Sequence, residues 1–273
     1  MMSKKSNKKK IMMRKYKKIF HSLTVVLKVY TSSILILLKH FGSYEESRMK
    51  LILNQKKHMN HLLDLLGIKV NVFSSSSAIK TNELLSRVVY VANHQSLLDF
   101  IVLNKVTSGA FITSQEMRET PILGFLSYLG GCFFVERRSK RQLPDEVKNL
   151  TQQLNHYSLI YFPESTVNGG LGLLPFKSTL FEVATVQHHR LIPIAIEYIV
   201  EGKKIHFNHT PHQIFWRKND SFIQHAFNIL DLNKIQVNLY LGDPLESPDK
   251  KILCQQSYQF IQSKISNSLD SHV

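Results

Sequence analysis

The sequence predicts an α/β domain preceded by membrane-associating helices. Three observations carry this reading. Short β-like runs alternate with helical ones from Ile68 onward, polar and charged clusters fall where those runs end, and a lysine-rich arm leads into a long apolar stretch before them. The 273 residues, 43% hydrophobic and 10% aromatic, supply one full-sized core and exclude a disordered or fibrous chain.

The arm comes first. Nine of the 35 Lys and Arg residues lie within residues 1–18 with no acid among them. The rest of the chain then has 26 cations against 20 acids, so the net charge of +15 mostly reports the arm. Ile19 to Leu38 is long enough to span a bilayer but is interrupted by His21 and Lys28. No small-residue cleavage pattern follows, so the segment is expected to be retained. Its membrane reading is a basic, partly amphipathic helix lying on an anionic surface, or a single N-terminal anchor. Its alternative is a solvated tail followed by a core helix. Nucleic acid is not an expected partner, because Tyr16 is the arm's only ring and no nucleic-acid motif follows. A second helix is expected over Glu45 to Leu66, stopping at Gly67.

Beyond it, strands are expected at 68–73, 87–92, 132–136, 158–162, 191–200, 204–207 and 235–241. Helices are expected at 95–106, from an N-cap at Thr120 and Pro121 to Gly130, at 144–157, at 175–187 and at 249–265. Pro193 inside its strand reads as the mark of an edge or a bulge. Cys132 and Cys254 are too few for a disulfide scaffold or a cysteine zinc module, and a reducing, cytosol-facing setting is the default.

The chemistry is densest at Asn93-His94-Gln95-Ser96-Leu97-Leu98-Asp99, where a strand meets a helix. His and Asp five residues apart on a regular helix point about 140° apart, so they meet only if His94 sits at or before the helix start. There a carboxylate would fix the imidazole tautomer, and the helix end would favour the neutral ring, giving a general base. With 13 histidines in the chain such a pair also arises by chance, as a capping His and a solvated Asp. Arg137 and Arg138 close the next strand as a fork suited to phosphate, and Glu164, Ser165 and Thr166 place a carboxylate and two hydroxyls after another. An ordinary basic loop and an ordinary turn would read the same way.

Together these blocks resemble the 1-acylglycerol-3-phosphate acyltransferases and the wider glycerolipid acyltransferase superfamily. Asn93 to Asp99 is similar to the N-H-x4-D block and Gly130 to Arg137 to the F-[IV]-[DE]-R block. Tyr161 to Thr166 resembles the F-P-E-G-T-R block, and Leu191 to Ile196 the [VI]-[IV]-P-[VI] block. Leu173 to Phe181 resembles the L-P-F-K stretch that follows the third block. Two positions depart: Ser165 stands where the family has Gly, and Val167 where it has Arg.

The resemblance implies a single acyltransferase domain over 67–248, with a mixed central sheet flanked by helices. Before it come the arm (1–18) and the membrane-associating helices (19–66), and after it a C-terminal helix (249–273). His94 and Asp99 would be catalytic. Asn93, Arg137, Arg138, Glu164, Ser165, Thr166 and Lys177 would bind substrate, the three cations offsetting the missing Arg. The implied reaction moves an acyl group from acyl-CoA or acyl carrier protein, as co-substrate and with no bound cofactor, to the sn-2 hydroxyl of lysophosphatidic acid. It needs no acyl-enzyme, so Ser96 is not a nucleophile. The apolar run Pro121 to Leu129 could line an acyl groove or simply pack in the core.

The implied partners are a membrane lipid substrate, an anionic membrane surface and an acyl carrier protein, which the basic arm could dock as readily as a bilayer. The cytosolic donor favours the cytoplasmic face. Forms close to F-P-E-S-T-x-N-G-G also resemble acylators of lyso-ornithine lipids, so that acceptor or a lysophospholipid stays open. So does a non-enzymatic peripheral membrane-binding module. A serine hydrolase lacks its G-x-S-x-G elbow here. No metal is expected, although His206, His209 and His212 form a tract that could suggest one.

Overall fold

The computed structural model describes residues 2–74, 87–137, 139, 141–186, 189–205 and 212–266, with backbone alone for 2–11. The arm and the apolar stretch form one helix, α1 (Met2–Lys39), folded back on α2 (Tyr44–Leu66). Val25, Val29 and Leu62 bury the seam, and Asn54 Nδ2 donates to Ser32 Oγ (2.9 Å) and Ser33 Oγ (3.0 Å) across it. Gly67 ends α2 at φ +67°, a left-handed cap that suits glycine.

The strands are β1 (Lys69–Ser74), β2 (Val89–Ala92), β3 (Ala110–Ser114), β4 (Phe133–Val135), β5 (Leu159–Tyr161), β6 (Leu191–Val200), β7 (Lys203–Lys204) and β8 (Ile235–Leu241). They lie in the order β1-β8-β6-β2-β5-β3-β4, with β7 pairing β6. Pairing is parallel except where β6 meets β7 and β8, so the sheet is mixed. The helices are α3 (Leu98–Leu103), α4 (Gln115–Glu119), α5 (Leu123–Leu129), α6 (Leu143–Gln153), α7 (Glu182–Thr185), α8 (Phe222–Asp231) and α9 (Lys250–Ser266).

Period-2 alternation divides the core. Tyr90, Ala92, Ile194, Ile196 and Tyr198 face a cluster with Leu98, Val102 and Ile229 from α3 and α8. Val89, Val91 and Leu159 face Val147, Leu150 and Leu253 from α6 and α9. Because both faces are covered, central strands read as continuous apolar runs.

Several expectations change. The helix expected at 95–106 begins only at Leu98, since residues 93–96 form a loop without regular structure. No helix starts at Thr120 and Pro121. The chain doubles back there so tightly that a Cβ on Gly124 would lie 2.0 Å from the Arg118 carbonyl oxygen. Ser114 instead caps α4, and α5 starts at Leu123. The helix expected at 175–187 shrinks to a 3-10 turn (Thr179–Phe181) and α7, because Lys177 N–H donates to the Pro163 carbonyl (3.0 Å) and holds that stretch extended. Pro193 marks no edge: β6 lies between β2 and β8. β8 pairs with β6 only from Ile194 onward, so no ladder bond is lost at the proline, and its carbonyl accepts from Gly242 N–H (2.8 Å). Of the strand expected at 204–207, residues 206 and 207 lie outside the described residues. β3 and α8 were not foreseen.

Candidate active site

β2, β4 and β5 are linked through parallel pairing, so the loops after them leave the same end of the sheet. β6 continues past the end of β2, whose Ala92 pairs with Ile194. Asn93 fills the ladder beyond: its Oδ1 accepts from Ile196 N–H (2.8 Å) and its Nδ2 donates to the Ile196 carbonyl (3.0 Å). A side-chain amide thus replaces a backbone partner and launches the loop that carries His94.

Asp99, fully buried in the first turn of α3, gathers that loop. Its Oδ2 accepts from Gln95 N–H (2.6 Å), Ser96 N–H (2.8 Å) and His94 Nδ1 (2.9 Å). Its Oδ1 accepts from the Tyr198 hydroxyl. Burial, reinforced by the Asp99 charge, holds that phenol well above its usual range, so it stays a donor. A carboxylate only accepts, so the His94 proton sits on Nδ1 and the Nε2 lone pair is left for chemistry. His94 lies four residues before a six-residue helix. The carboxylate sets its tautomer, as the sequence suggested, while the helix end expected to favour the neutral ring lies several residues away. Phe162 stacks on the ring, Phe100 meets it edge-on, and 13% of the side chain is exposed.

Glu164 is also turned inward. Its Oε1 accepts from His94 N–H (2.7 Å) and its Oε2 from Leu174 N–H (2.8 Å). Burial pushes this carboxyl up to about 7 against the pull of those two N–H donors. Asn93 and Glu164, expected against substrate, are therefore committed to backbone that shapes the His94 loop.

Ser165 adopts φ +61°, which explains why the resembled block has Gly there. Thr166 and Lys177 are exposed beside this turn. Arg137 follows β4, half-buried and engaged, while Arg138 lies outside the described residues. The structure thus joins His94, Asp99, Asn93 and Glu164 by hydrogen bonds, and leaves Thr166 and Lys177 at the surface. His206 and His209 lie outside the described residues, and His212 Nδ1 accepts from Ile214 N–H (3.1 Å).

Sequence reasoning missed Tyr198, Phe162, Trp216 and His225. The His225 ring is fully buried, stacks on Trp216, and turns Nε2 toward Leu97 N–H (3.2 Å) and Ser96 Oγ (3.3 Å). Burial pushes it down to about 4, with the Asp99 and Asp220 charges opposing, so the ring is a neutral acceptor. No local signal marks it, since its partners lie 128 and 129 residues away. Tyr198 was within reach, because alternation along β6 places it on the same face as Ile196.

Beside Phe100 opens an apolar cavity of about 400 Å³. Leu97 and Ile101 line it together with Leu123 and Leu126 of α5, Val29 of α1 and Phe222 of α8. The 121–129 run therefore does line a cavity, and Phe100 both bounds it and touches His94.

Residues 74–197 match the family described as Acyltransferase. A 1-acyl-sn-glycerol-3-phosphate acyltransferase of Neisseria gonorrhoeae is 33% identical over 118 residues, 43% of this chain and 46% of that protein. The chain thus spans about half the length of that relative. A lyso-ornithine lipid O-acyltransferase of Rhizobium meliloti is 28% identical over 193 residues, 67% of this chain and 63% of that protein. The crystal structure of a 1-acyl-sn-glycerophosphate acyltransferase from Thermotoga maritima superposes with a TM-score of 0.59 at 19% identity, covering 94% of this chain and 99% of that one. That likeness is one of fold.

Proposed function

Because residues 74–197 match the Acyltransferase family, we propose that the protein makes phosphatidic acid. The acyl group would pass from a thioester donor, acyl-CoA or acyl carrier protein, to the sn-2 hydroxyl of 1-acyl-sn-glycerol 3-phosphate. One observation carries the reading: His94 is held through Nδ1 by a buried, four-fold hydrogen-bonded carboxylate, while Nε2 is left unpartnered among the described residues beside an apolar cavity.

In this reading Nε2 takes the acceptor hydroxyl proton as its oxygen attacks the thioester carbonyl. The tetrahedral intermediate collapses, the C–S bond breaks, and the imidazolium returns the proton to the leaving thiolate. The products are an ester and a free thiol, with no bound cofactor. Positioned proton transfer of this kind contributes about 10²- to 10⁴-fold. Ser96 supports the direct route: its buried hydroxyl faces His225, so it is not set up as a nucleophile paired with His94. The apolar cavity suits an acyl chain in size and lining.

The N-terminal hairpin supports membrane association. Among the described residues, Met12–Lys39 is a helix long and apolar enough to cross a membrane. It exposes Tyr16, Phe20, Leu23, Leu27 and Leu38 at helical spacing. Lys18 Nζ donates to the Leu230 and Leu232 carbonyls, and Lys15 pairs with Asp231, which ties α1 to the end of α8. A helix so tied and so sided fits one lying on the cytoplasmic face, where the donor is, near an anionic lipid surface.

The longer likeness to the Rhizobium protein favours one second reading, acylation of a lyso-ornithine lipid. The purified protein is to be incubated with acyl-CoA or acyl carrier protein donors and either acceptor, and the product identified by mass. Phosphatidic acid supports the first reading, a diacylated ornithine lipid the second, and no acylated product with any pair rejects both.

A further inference from the structure

The stretch 212–225 contains none of the four sequence blocks, yet it bridges two of them. Trp216 N–H donates to the Gln95 carbonyl (2.7 Å), one residue past His94, and the Trp216 carbonyl accepts from Gly169 N–H (3.1 Å) in the third-block loop. Phe215 packs beneath that loop so closely that a Cβ on Gly170, at φ +83°, would lie 2.2 Å from its ring. Arg217 comes next. Its stem lies against Gly169, where a Cβ would meet Arg217 Cγ at 3.0 Å.

The turn that follows is closed on itself. Trp216 Nε1 donates to the Asp220 carbonyl (3.0 Å), Asp220 N–H donates to the Arg217 carbonyl (3.0 Å), and Arg217 Nε donates to Asp220 Oδ2 (3.0 Å). The Asp220 side chain is 8% exposed and the Arg217 side chain 48%. The carboxylate therefore fixes the guanidinium through Nε alone, and the two terminal amines make no hydrogen bond to any described residue. A guanidinium held this way presents parallel donors to an anion with two oxygens. Nearby, Val167 stands where the resembled block has Arg, and both Glu164 oxygens are occupied.

We propose that Arg217 is a specificity-determining residue whose terminal amines receive the anionic headgroup, phosphate or carboxylate, of the lysolipid acceptor. This rests on the acyl-transfer reading above.

The test compares wild type, Arg217→Ala, Arg217→Lys and, as a neighbouring exposed cation, Lys218→Ala. Acceptors are lysophosphatidic acid, lyso-ornithine lipid and an uncharged 1-acylglycerol. For the preferred anionic acceptor, Arg217→Ala should raise KM about 10- to 100-fold, with a much smaller change in kcat. Its preference over the uncharged acceptor should collapse, Lys should restore part of it, and Lys218→Ala should match wild type. The acceptor with the larger KM change identifies phosphate or carboxylate as the bound group. An unchanged KM in folded Arg217→Ala, or an equal rise for the uncharged acceptor, overturns the proposal. If Arg217→Ala fails to give a cooperative melt, Arg217→Gln carries the same comparison. Calorimetric binding of short-chain lysophosphatidic acid and lyso-ornithine lipid to the same variants decides the point even if wild type transfers to no acceptor. That last result would instead count against the acyl-transfer reading.

Discussion

The ring of Phe162 lies on the imidazole of His94, with centroids 4.1 Å apart and 13° between the planes. Phe100 meets the same imidazole edge-on at 5.6 Å, and Asp99 holds Nδ1 at 2.9 Å. Three contacts from two parts of the chain, the first turn of α3 and the residue after β5, therefore fix the ring and with it the direction of Nε2. Preorganisation of this kind keeps a base aimed before substrate arrives.

Tyr198→Phe should expose what the fourth hydrogen bond on Asp99 does. The substitution leaves Oδ1 of a buried carboxylate without its donor, at a cost of about 1–3 kcal/mol. The expected result is a kcat lowered about tenfold or more with the acceptor KM little changed. Steady-state kinetics on a variant with native circular dichroism checks it.

Glu164 and His225 should give opposite pH dependences of stability. The Glu164 carboxyl is raised to about 7, so the folded state binds more protons than the unfolded state from about 4.5 to 7, and stability falls as pH rises through that window. His225 is lowered to about 4, so between about 4 and 6.5 the unfolded state binds more protons and stability rises with pH. The two effects, each up to about 3 kcal/mol, oppose one another where they overlap. Relative to wild type, Glu164→Gln should gain stability as pH rises from 4.5 to 7. His225→Asn should lose it over 4 to 6.5. Urea unfolding at a series of pH values measures both differences, and parallel curves would refute them.

Ser165 at φ +61° occupies a conformation that costs a residue with a Cβ about 1–2 kcal/mol. Ser165→Gly should therefore hold or raise the melting temperature, and Ser165→Val should lower it. A lower melting temperature for the Gly variant would show that the hydroxyl has a structural role the geometry does not display.

Phe20 and Leu27 are exposed on α1 and lie outside the cavity lining. If that face enters a membrane interface, Phe20→Gln with Leu27→Gln should weaken binding to anionic vesicles by about tenfold or more, since each buried large side chain is worth about 1.5–3 kcal/mol. Sedimentation with vesicles measures it. Undiminished binding would assign the helix a purely packing role.

Much of this was legible in the sequence, and the boundary has a physical basis. β6 and β8 matched their expected limits because a long apolar run, in β6, and apolar residues alternating with Gln236, Asn238 and Tyr240, in β8, admit few alternatives. α2 stopped at Gly67, where a left-handed cap is needed. His94 and Asp99 were legible because they are close in sequence at a strand end. The start of α3 was not, since it depends on Asp99 folding back to accept from the Gln95 and Ser96 N–H groups, which holds those residues in the loop before the helix. The burial of Asn93 and Glu164 was equally hidden, because it is set by the Ile196 and Leu174 backbones. His225 reaches the site across 129 residues, a distance over which no spacing rule operates, whereas strand alternation gave the face of Tyr198 but not its partner 99 residues away.

In the proposed reaction the Nε2 of His94 deprotonates an acceptor hydroxyl during acyl transfer. Its most direct measurement is acceptor-dependent thiol release by wild type and His94→Ala at equal concentration, with melting curves to show that both are folded. Release by wild type should require the lysolipid and fall at least about 10²-fold in the variant. Equal release by a folded His94→Ala would contradict it.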